Sequence, residues 1–424
     1  MKFSFFISLF LFLVAGNLLA QSRIVELNFE GTKKSKEPYL LNFIESVPGT
    51  FGDSITIKQD VKNLLNTNLF AIVDARIDTV PDGVIVVFVI KEKISSYPAG
   101  NGGIIDDNIW IELGWRDNHF LGRGIRAMLL AKYYDRFAVR GFFQAPYWFG
   151  SGWGMESNWE FGRTIEPITI NTDSVLRFNQ DRRFMNLMAS YAFQPSNLFY
   201  AGIEFESLEY TFRDRNYFPE PAALEEIQTK IQFIIRHHNR FHLNIFEQYV
   251  TGWANEFILK TAIVEDKRPN QSNRWYPFFQ NELKVFVKPW ATGNIGFRNR
   301  IGIAENDPSV FAQFIQDSFL NARGIGNKPF RGTAELTTNI ELRQTIYDRK
   351  WIALQSVAFF DYSAIRPPGG NINDMFLKQN SHSFAGIGGR IFFKNIYDFI
   401  LRMDVGFSLN DNRRGFVMGL GHYF

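Results

Sequence analysis

The chain has 424 residues, with 46 Lys+Arg against 43 Asp+Glu, no Cys, 46% hydrophobic residues and 16% aromatics. That apolar content at a formal net charge of +3 excludes a solvated coil, and the missing thiols exclude a disulfide scaffold or a Cys-held zinc or iron–sulfur site. The balanced charge argues against a nucleic-acid binder, while 45 Phe and 33 Gly in a mildly hydrophilic chain fit a protein wet on one side and greasy on the other.

Residues 1–20 read as a signal peptide. Lys2 precedes an apolar run from Phe3 to Val14, and Ala20 offers a small residue before a cut at Gln21. The run falls short of the roughly 20 apolar residues a spanning helix needs, and no later window supplies one. Export without Cys fits a bacterial envelope protein, and any membrane contact is expected through strands or at the surface.

Residues 21–93 have the texture of a small α/β module. Ile24, Leu27 and Phe29 begin a strand ending at Gly31. Leu40, Leu41, Ile44 and Val47 predict a helix over 38–47, stopped by Pro48-Gly49. Ile57, Val61, Leu64 and Leu65 predict a second helix. Strands are expected over 72–80 and 84–90 around a Pro81-Asp82-Gly83 turn. The order is β-α-α-β-β. Its Phe29-Glu30-Gly31, Pro48-Gly49, Asn68-Leu69-Phe70 and Val89-Ile90-Lys91-Glu92 resemble a POTRA domain. That resemblance implies a periplasmic module that binds extended client strands at a sheet edge.

Residues 94–108, with Ser, Pro and Gly, read as a linker. From 109 to 424 period two takes over: Ile109, Ile111, Leu113 and Trp115 alternate with Trp110, Glu112, Gly114 and Arg116. Leu336, Ile340 and Leu342 oppose Glu335, Asn339, Glu341 and Arg343, and Met403, Val405 and Phe407 oppose Arg402, Asp404 and Ser408. Such spans suit an antiparallel transmembrane β-barrel, with one face toward lipid and the other toward a polar lumen. The 331 residues from 94 onward give about 21 per strand for 16 strands, and 12 or 14 strands also fit the arithmetic. The last stretch places Phe416, Met418, Leu420 and Phe424 on one face and ends on an aromatic residue.

Ala322-Arg323-Gly324-Ile325, followed by Phe330-Arg331-Gly332 and Asn339-Ile340-Glu341-Leu342-Arg343, resembles the sixth loop and next strand of the BamA/TamA superfamily, whose tetrapeptide is V-R-G-[FY]. Phe359-Phe360-Asp361-Tyr362-Ser363 resembles the family's F-x-D-x-G, with Ser363 replacing the final Gly, and Asn118 to Gly124 its first hairpin turn. The resemblance implies that Arg323 folds into the lumen onto Asp361, by charge-assisted bonds. It also implies a gate where the first and last barrel strands meet, here Ile109, Ile111, Leu113 and Trp115 against Phe416, Gly419, Gly421 and Phe424.

The function implied is insertion of outer-membrane proteins, without a chemical step or cofactor, in the outer membrane of a Gram-negative bacterium. Expected partners are outer-membrane lipids, unfolded barrel clients or one secreted protein, and periplasmic chaperones or lipoproteins. A dedicated exporter is the alternative, because secretion members share module and barrel, though they usually carry two modules. A passive pore or an outer-membrane enzyme ranks lower. His237, His238 and His242 put three imidazoles in six residues, but strand alternation turns His237 away, with no carboxylate at ligand spacing, so no metal site is expected. No nucleophile elbow or phosphate loop occurs.

Overall fold

The computed structural model describes residues 22–105, 108–134, 136–150, 152–171, 174–194, 196–213, 226–240, 243–266, 274–326 and 330–424. They form two compact units divided after Glu92. In the first, β1 (Ile24–Glu30) runs parallel to β3 (Gly83–Glu92), which pairs antiparallel with β2 (Phe70–Val80). The three-stranded order β1-β3-β2 leaves β2 with a free edge. Ile24, Leu40, Ile57, Leu64, Val86 and Phe88 are buried and supply the core. Gly31 ends β1 at φ +82, where a Cβ would lie 2.3 Å from the Ile90 carbonyl oxygen, so only glycine fits.

The first helix is shorter than its period suggests. It spans Glu37–Leu40, tightens to a 3-10 turn at Leu41–Phe43, and is extended by Ile44. The buried Asp60 carboxylate on the helix Ser54–Asn66 explains the break: it accepts the amides of Glu45 and Ser46, both at 3.0 Å, which are thereby taken from the helix. Asp60→Ala leaves two amides without an acceptor. It is expected to lower the stability of this unit by about 2–3 kcal/mol, measured by urea denaturation followed at its own far-ultraviolet signal.

Two carboxylates make the unit acid-sensitive. Asp53 caps the second helix and is held below its ordinary 3.8 by the Ile55 amide, which with the Thr56 amide and hydroxyl outweighs the opposing effect of burial. Burial pushes Glu92 up, but donors from Ser35, Lys34 and Lys33 outweigh it and hold the group below 4.5. Depressed carboxyls stabilise above their unfolded values and lose that contribution as pH falls through the folded ones, so the unit weakens below about pH 4.5.

The second unit is a closed barrel. Its first strands are β4 (Ser96–Ile105), β5 (Asn108–Phe120), β6 (Ile125–Tyr134), β7 (Arg136–Gly150), β8 (Trp153–Asn171), β9 (Ser174–Gln194), β10 (Asn197–Phe212) and β11 (Glu226–Asn239). A short β12 (Asn244–Phe246) abuts β13 (Tyr249–Asp266), followed by β14 (Arg274–Val287) and β15 (Gly293–Ala304). A long loop carries the hairpin β16 (Phe314–Gln316) and β17 (Phe330–Gly332). The wall resumes with β18 (Ala334–Asp348), β19 (Ile352–Arg366), β20 (Ser381–Phe393), β21 (Ile400–Ser408) and β22 (Arg414–Leu420), which meets β4. Among the described residues the wall thus has sixteen antiparallel strands besides the three-residue β12. Leu113, Trp115, Leu187, Ile263, Ile340, Met403 and Phe416 are exposed on the outer face, while Glu112, Glu156, Glu341, Arg390 and Asp404 are buried on the inner one. This is the alternation a lipid-facing wall around a polar lumen requires.

Two expectations fail at the seam. Residues 94–108 are no linker: Ser96 to Ile105 form the first barrel strand, in register from Ser96 opposite Asp117 to Ile105 opposite Asn108. Pro98 and the glycines at 100, 102 and 103 disguise it, because Pro donates no ladder bond and is confined to edge-like positions. Ile109, Ile111, Leu113 and Trp115 accordingly belong to the second strand, and the gate they were assigned lies one strand away.

Candidate functional site

The loop between β15 and β17 descends into the lumen and presents Ala322-Arg323-Gly324-Ile325 to the inner wall. Arg323 is fully buried, and Asp361 on β19 receives its backbone amide (2.9 Å), Nε (2.8 Å) and Nη2 (2.8 Å). Asn339 on β18 donates to Asp361 as well (2.7 Å) and to the Asn321 carbonyl (2.8 Å), which fixes the approach of the loop. The Arg323 guanidinium also donates to Glu341, lies 3.6 Å from Asp404 and sits 3.6 Å above the Phe359 ring centre, so its charge has three carboxylates and an aromatic face.

The surrounding charges extend the network. Arg343 donates Nε to Glu341 (2.7 Å), and Arg390 reaches both Glu341 (3.1 Å) and Asp404 (2.6 Å). Ala322 and Ile325 pack with Phe384, so aliphatic side chains flank the Arg-Gly pair where the family pattern has Val and an aromatic residue. Ser363, in place of a Gly, sits 3.4 Å from the Thr337 hydroxyl.

The tip lies against a lane of glycines. Phe359 pairs with Gly386, Gly386 with Gly406, and Gly406 with Gly415, one row crossing β19 to β22. A Cβ at Gly406 would fall 2.2 Å from the Arg323 carbonyl oxygen, and one at Gly415 would fall 2.9 Å from Gly324 Cα. Gly415 therefore admits the loop backbone.

Beyond β22 the chain turns inward. Gly421, at φ +83, lies outside the strand, and Phe424 does not share the lipid face of Phe416. Phe424 stacks on Phe286 inside the barrel, with ring centres 6.2 Å apart. The Tyr423 hydroxyl donates to the Ser318 carbonyl (3.0 Å), and its ring faces Arg323 (4.1 Å), Arg402 (4.9 Å) and Arg298 (5.3 Å). Of the predicted gate residues, Phe416 and Gly419 lie on β22. The side chain of Ile109 lies outside the described residues.

Sequence reasoning missed Arg390, Gly386, Gly406 and Tyr423, which local pattern does not single out. Their signal lies in register, which pairs Gly386 with Gly406 only once the strands are aligned. His237 bonds Asn197 (2.7 Å), His238 lies 4.0 Å from Glu256, and His242 is outside the described residues. His119 accepts the Gly124 amide (2.9 Å) and shapes the β5–β6 turn.

A small strand-edge module joined to a sixteen-stranded barrel with a loop arginine pinned in its lumen defines a POTRA-plus-barrel membrane protein. Residues 22–93 match the POTRA family model, described as surface antigen variable number repeat. The fold is similar to CdiB from Escherichia coli (TM-score 0.63, 11% identity, 95% of this chain and 75% of that one) and to CdiB from Acinetobacter baumannii (0.59, 12%, 95% and 74%). It is also similar to BamA from Haemophilus ducreyi lacking POTRA domains 1–3 (0.52, 13%, 94% and 84%). No curated protein sequence matches the chain. The architecture is BamA/TamA-like.

Proposed function

We propose that the chain is an outer-membrane assembly factor that captures extended client strands at its POTRA edge and inserts them at the β4–β22 seam. The observation that carries this reading is the asymmetry of the wall. β9 has 21 residues and β8 has 19, whereas β22 has 7 and its neighbour β4 carries Pro98 and three glycines. A short strand against a Pro-bearing one makes few ladder bonds, so this junction opens at the lowest cost and exposes edges that a client strand can pair with. The free edge of β2 offers the same chemistry to an extended chain. Burial of the client's apolar face in lipid supplies the driving force, and no nucleotide is consumed. The working partners are outer-membrane lipids and unfolded barrels, with periplasmic chaperones or lipoproteins delivering them.

A dedicated exporter is the second reading, because the same lumen that holds the Arg323 loop would carry a client once that loop left it. The two readings demand different motions, because export needs the lumenal loop to leave and insertion needs the seam to part. Crosslinking Met418→Cys on β22 to cysteines placed in turn along β4 should abolish function while a link between Ile325→Cys and Phe384→Cys leaves it intact. The reverse pattern establishes the exporter, and activity surviving both links sinks both readings. Deleting the gene and profiling the outer membrane identifies the clients: many depleted barrels for an insertase, one missing secreted protein for an exporter.

A further inference from the structure

The lumenal network carries more positive charge than its carboxylates cover. Arg323, Arg343, Arg390 and Arg402 are all buried around Glu341, Asp361 and Asp404, four guanidiniums against three carboxylates. Arg343 is fully buried and spends only Nε, on Glu341; neither Nη1 nor Nη2 finds an acceptor among the described residues. These two nitrogens carry four N–H donors. The rings of Phe424 (5.3 Å) and Phe286 (5.7 Å) face the guanidinium but accept no hydrogen bond of ordinary strength.

The neighbouring donors share this condition. Arg390 is joined to Arg343 through Glu341, and Arg402 is the cross-strand partner of Arg390. Arg402 spends Nη1 on the His422 carbonyl (2.9 Å). The Nε atoms of Arg390 and Arg402 and the Nδ1 of His422 are buried without a partner among the described residues. Buried charge is retained when a counter-charge with matching lone pairs completes it. A tetrahedral oxyanion supplies both, and a guanidinium fork binds its oxygens in pairs. Of the four groups only Arg402 borders a lumenal cavity, of about 430 Å³, whose lining pairs Lys132, Arg140 and Arg402 with Glu112, Glu160 and Asp317.

We propose that Arg343, Arg390, Arg402 and His422 form an internal binding site for a phosphate-type oxyanion, one per chain, held beneath the Arg323 loop. Inorganic phosphate and the phosphate of a lipid headgroup share this chemistry. The test uses the full chain purified in detergent. Equilibrium dialysis with radiolabelled orthophosphate should give saturable binding of one per chain, not displaced by chloride at equal ionic strength. Phosphate should raise the thermal unfolding midpoint by about 2 °C or more. Arg343→Gln should lose the phosphate-dependent part of that shift, whatever its own baseline stability. Parallel titrations with phosphatidylglycerol and with phosphatidylcholine in the micelle separate the sources: a phosphatidylglycerol shift that occludes orthophosphate identifies a headgroup, and orthophosphate binding alone identifies the free ion. Absence of saturable binding by the wild-type chain from both sources, or a shift unchanged in Arg343→Gln, overturns the proposal.

Discussion

Asp361→Ala should cost about 3–5 kcal/mol of barrel stability and abolish function, the largest effect of any single truncation in the lumen. Asp361 accepts three donors from Arg323, one of them from its backbone, and a fourth from Asn339. Alanine leaves all four N–H groups without that acceptor, inside a network from which solvent is excluded. Arg323→Ala is a different lesion, because it strips the cation shared by Asp361 and Glu341 while Arg343 and Arg390 still hold Glu341. Its cost should be of the same order. Arg323→Lys should rescue little, since a point charge cannot make the paired contacts to Asp361 or lie flat on Phe359. The readouts are the urea midpoint of the folded band on semi-native gels and growth under depletion of the native gene. The double mutant should fall short of the sum of the singles by about 1 kcal/mol or more. Single variants within about 0.5 kcal/mol of wild type would falsify the pinned-loop arrangement.

How much of this was legible in the sequence follows the range of the physical signal. The outward and inward faces of β18 and β21 could be read because alternation is local: Ile340 and Met403 are exposed, while Glu341 and Asp404 are buried. Arg323 and Asp361 were legible only through the superfamily resemblance, since nothing local couples residues 38 apart. The small module was legible in order, yet its first helix was drawn too long, because the break comes from Asp60, a residue on another helix. β4 was misread for an instructive reason. Pro98 and its neighbouring glycines are poor strand residues anywhere except at a junction that pairs weakly, so the signal that hid the strand also marks the seam. The inward turn of Tyr423 and Phe424 was illegible because an amphipathic ending reads alike whether its last aromatic meets lipid or the Phe286 ring.

The glycine lane gives the second large effect, and it separates shape from charge. Gly406→Val should displace the loop tip and reproduce the loss expected of Asp361→Ala without touching any charged group. Even the Cβ falls 2.2 Å from the Arg323 carbonyl oxygen, against backbone that cannot rotate away as a side chain would. Either the tip lifts, which breaks its aligned contacts to Asp361, or β21 bends; overpacking of this kind costs about 1–3 kcal/mol before any lost ion pair is counted. Gly415→Ala, with Gly324 Cα at 2.9 Å, should act in the same direction more mildly. Gly389→Ala on β20 is the control, since its Cβ would meet nothing nearer than the Gln355 carbonyl oxygen at 3.9 Å. Maleimide labelling of Ile325→Cys, a buried position in the wild-type barrel, reports the tip directly and should become fast in Gly406→Val while remaining slow in Gly389→Ala. Adding Asp361→Ala to Gly406→Val should then cost little more, because a loop already lifted has no pair left to lose. Full additivity of the two would mean that the lane and the ion pair hold different things, and that Gly406 packs against the loop without positioning Arg323.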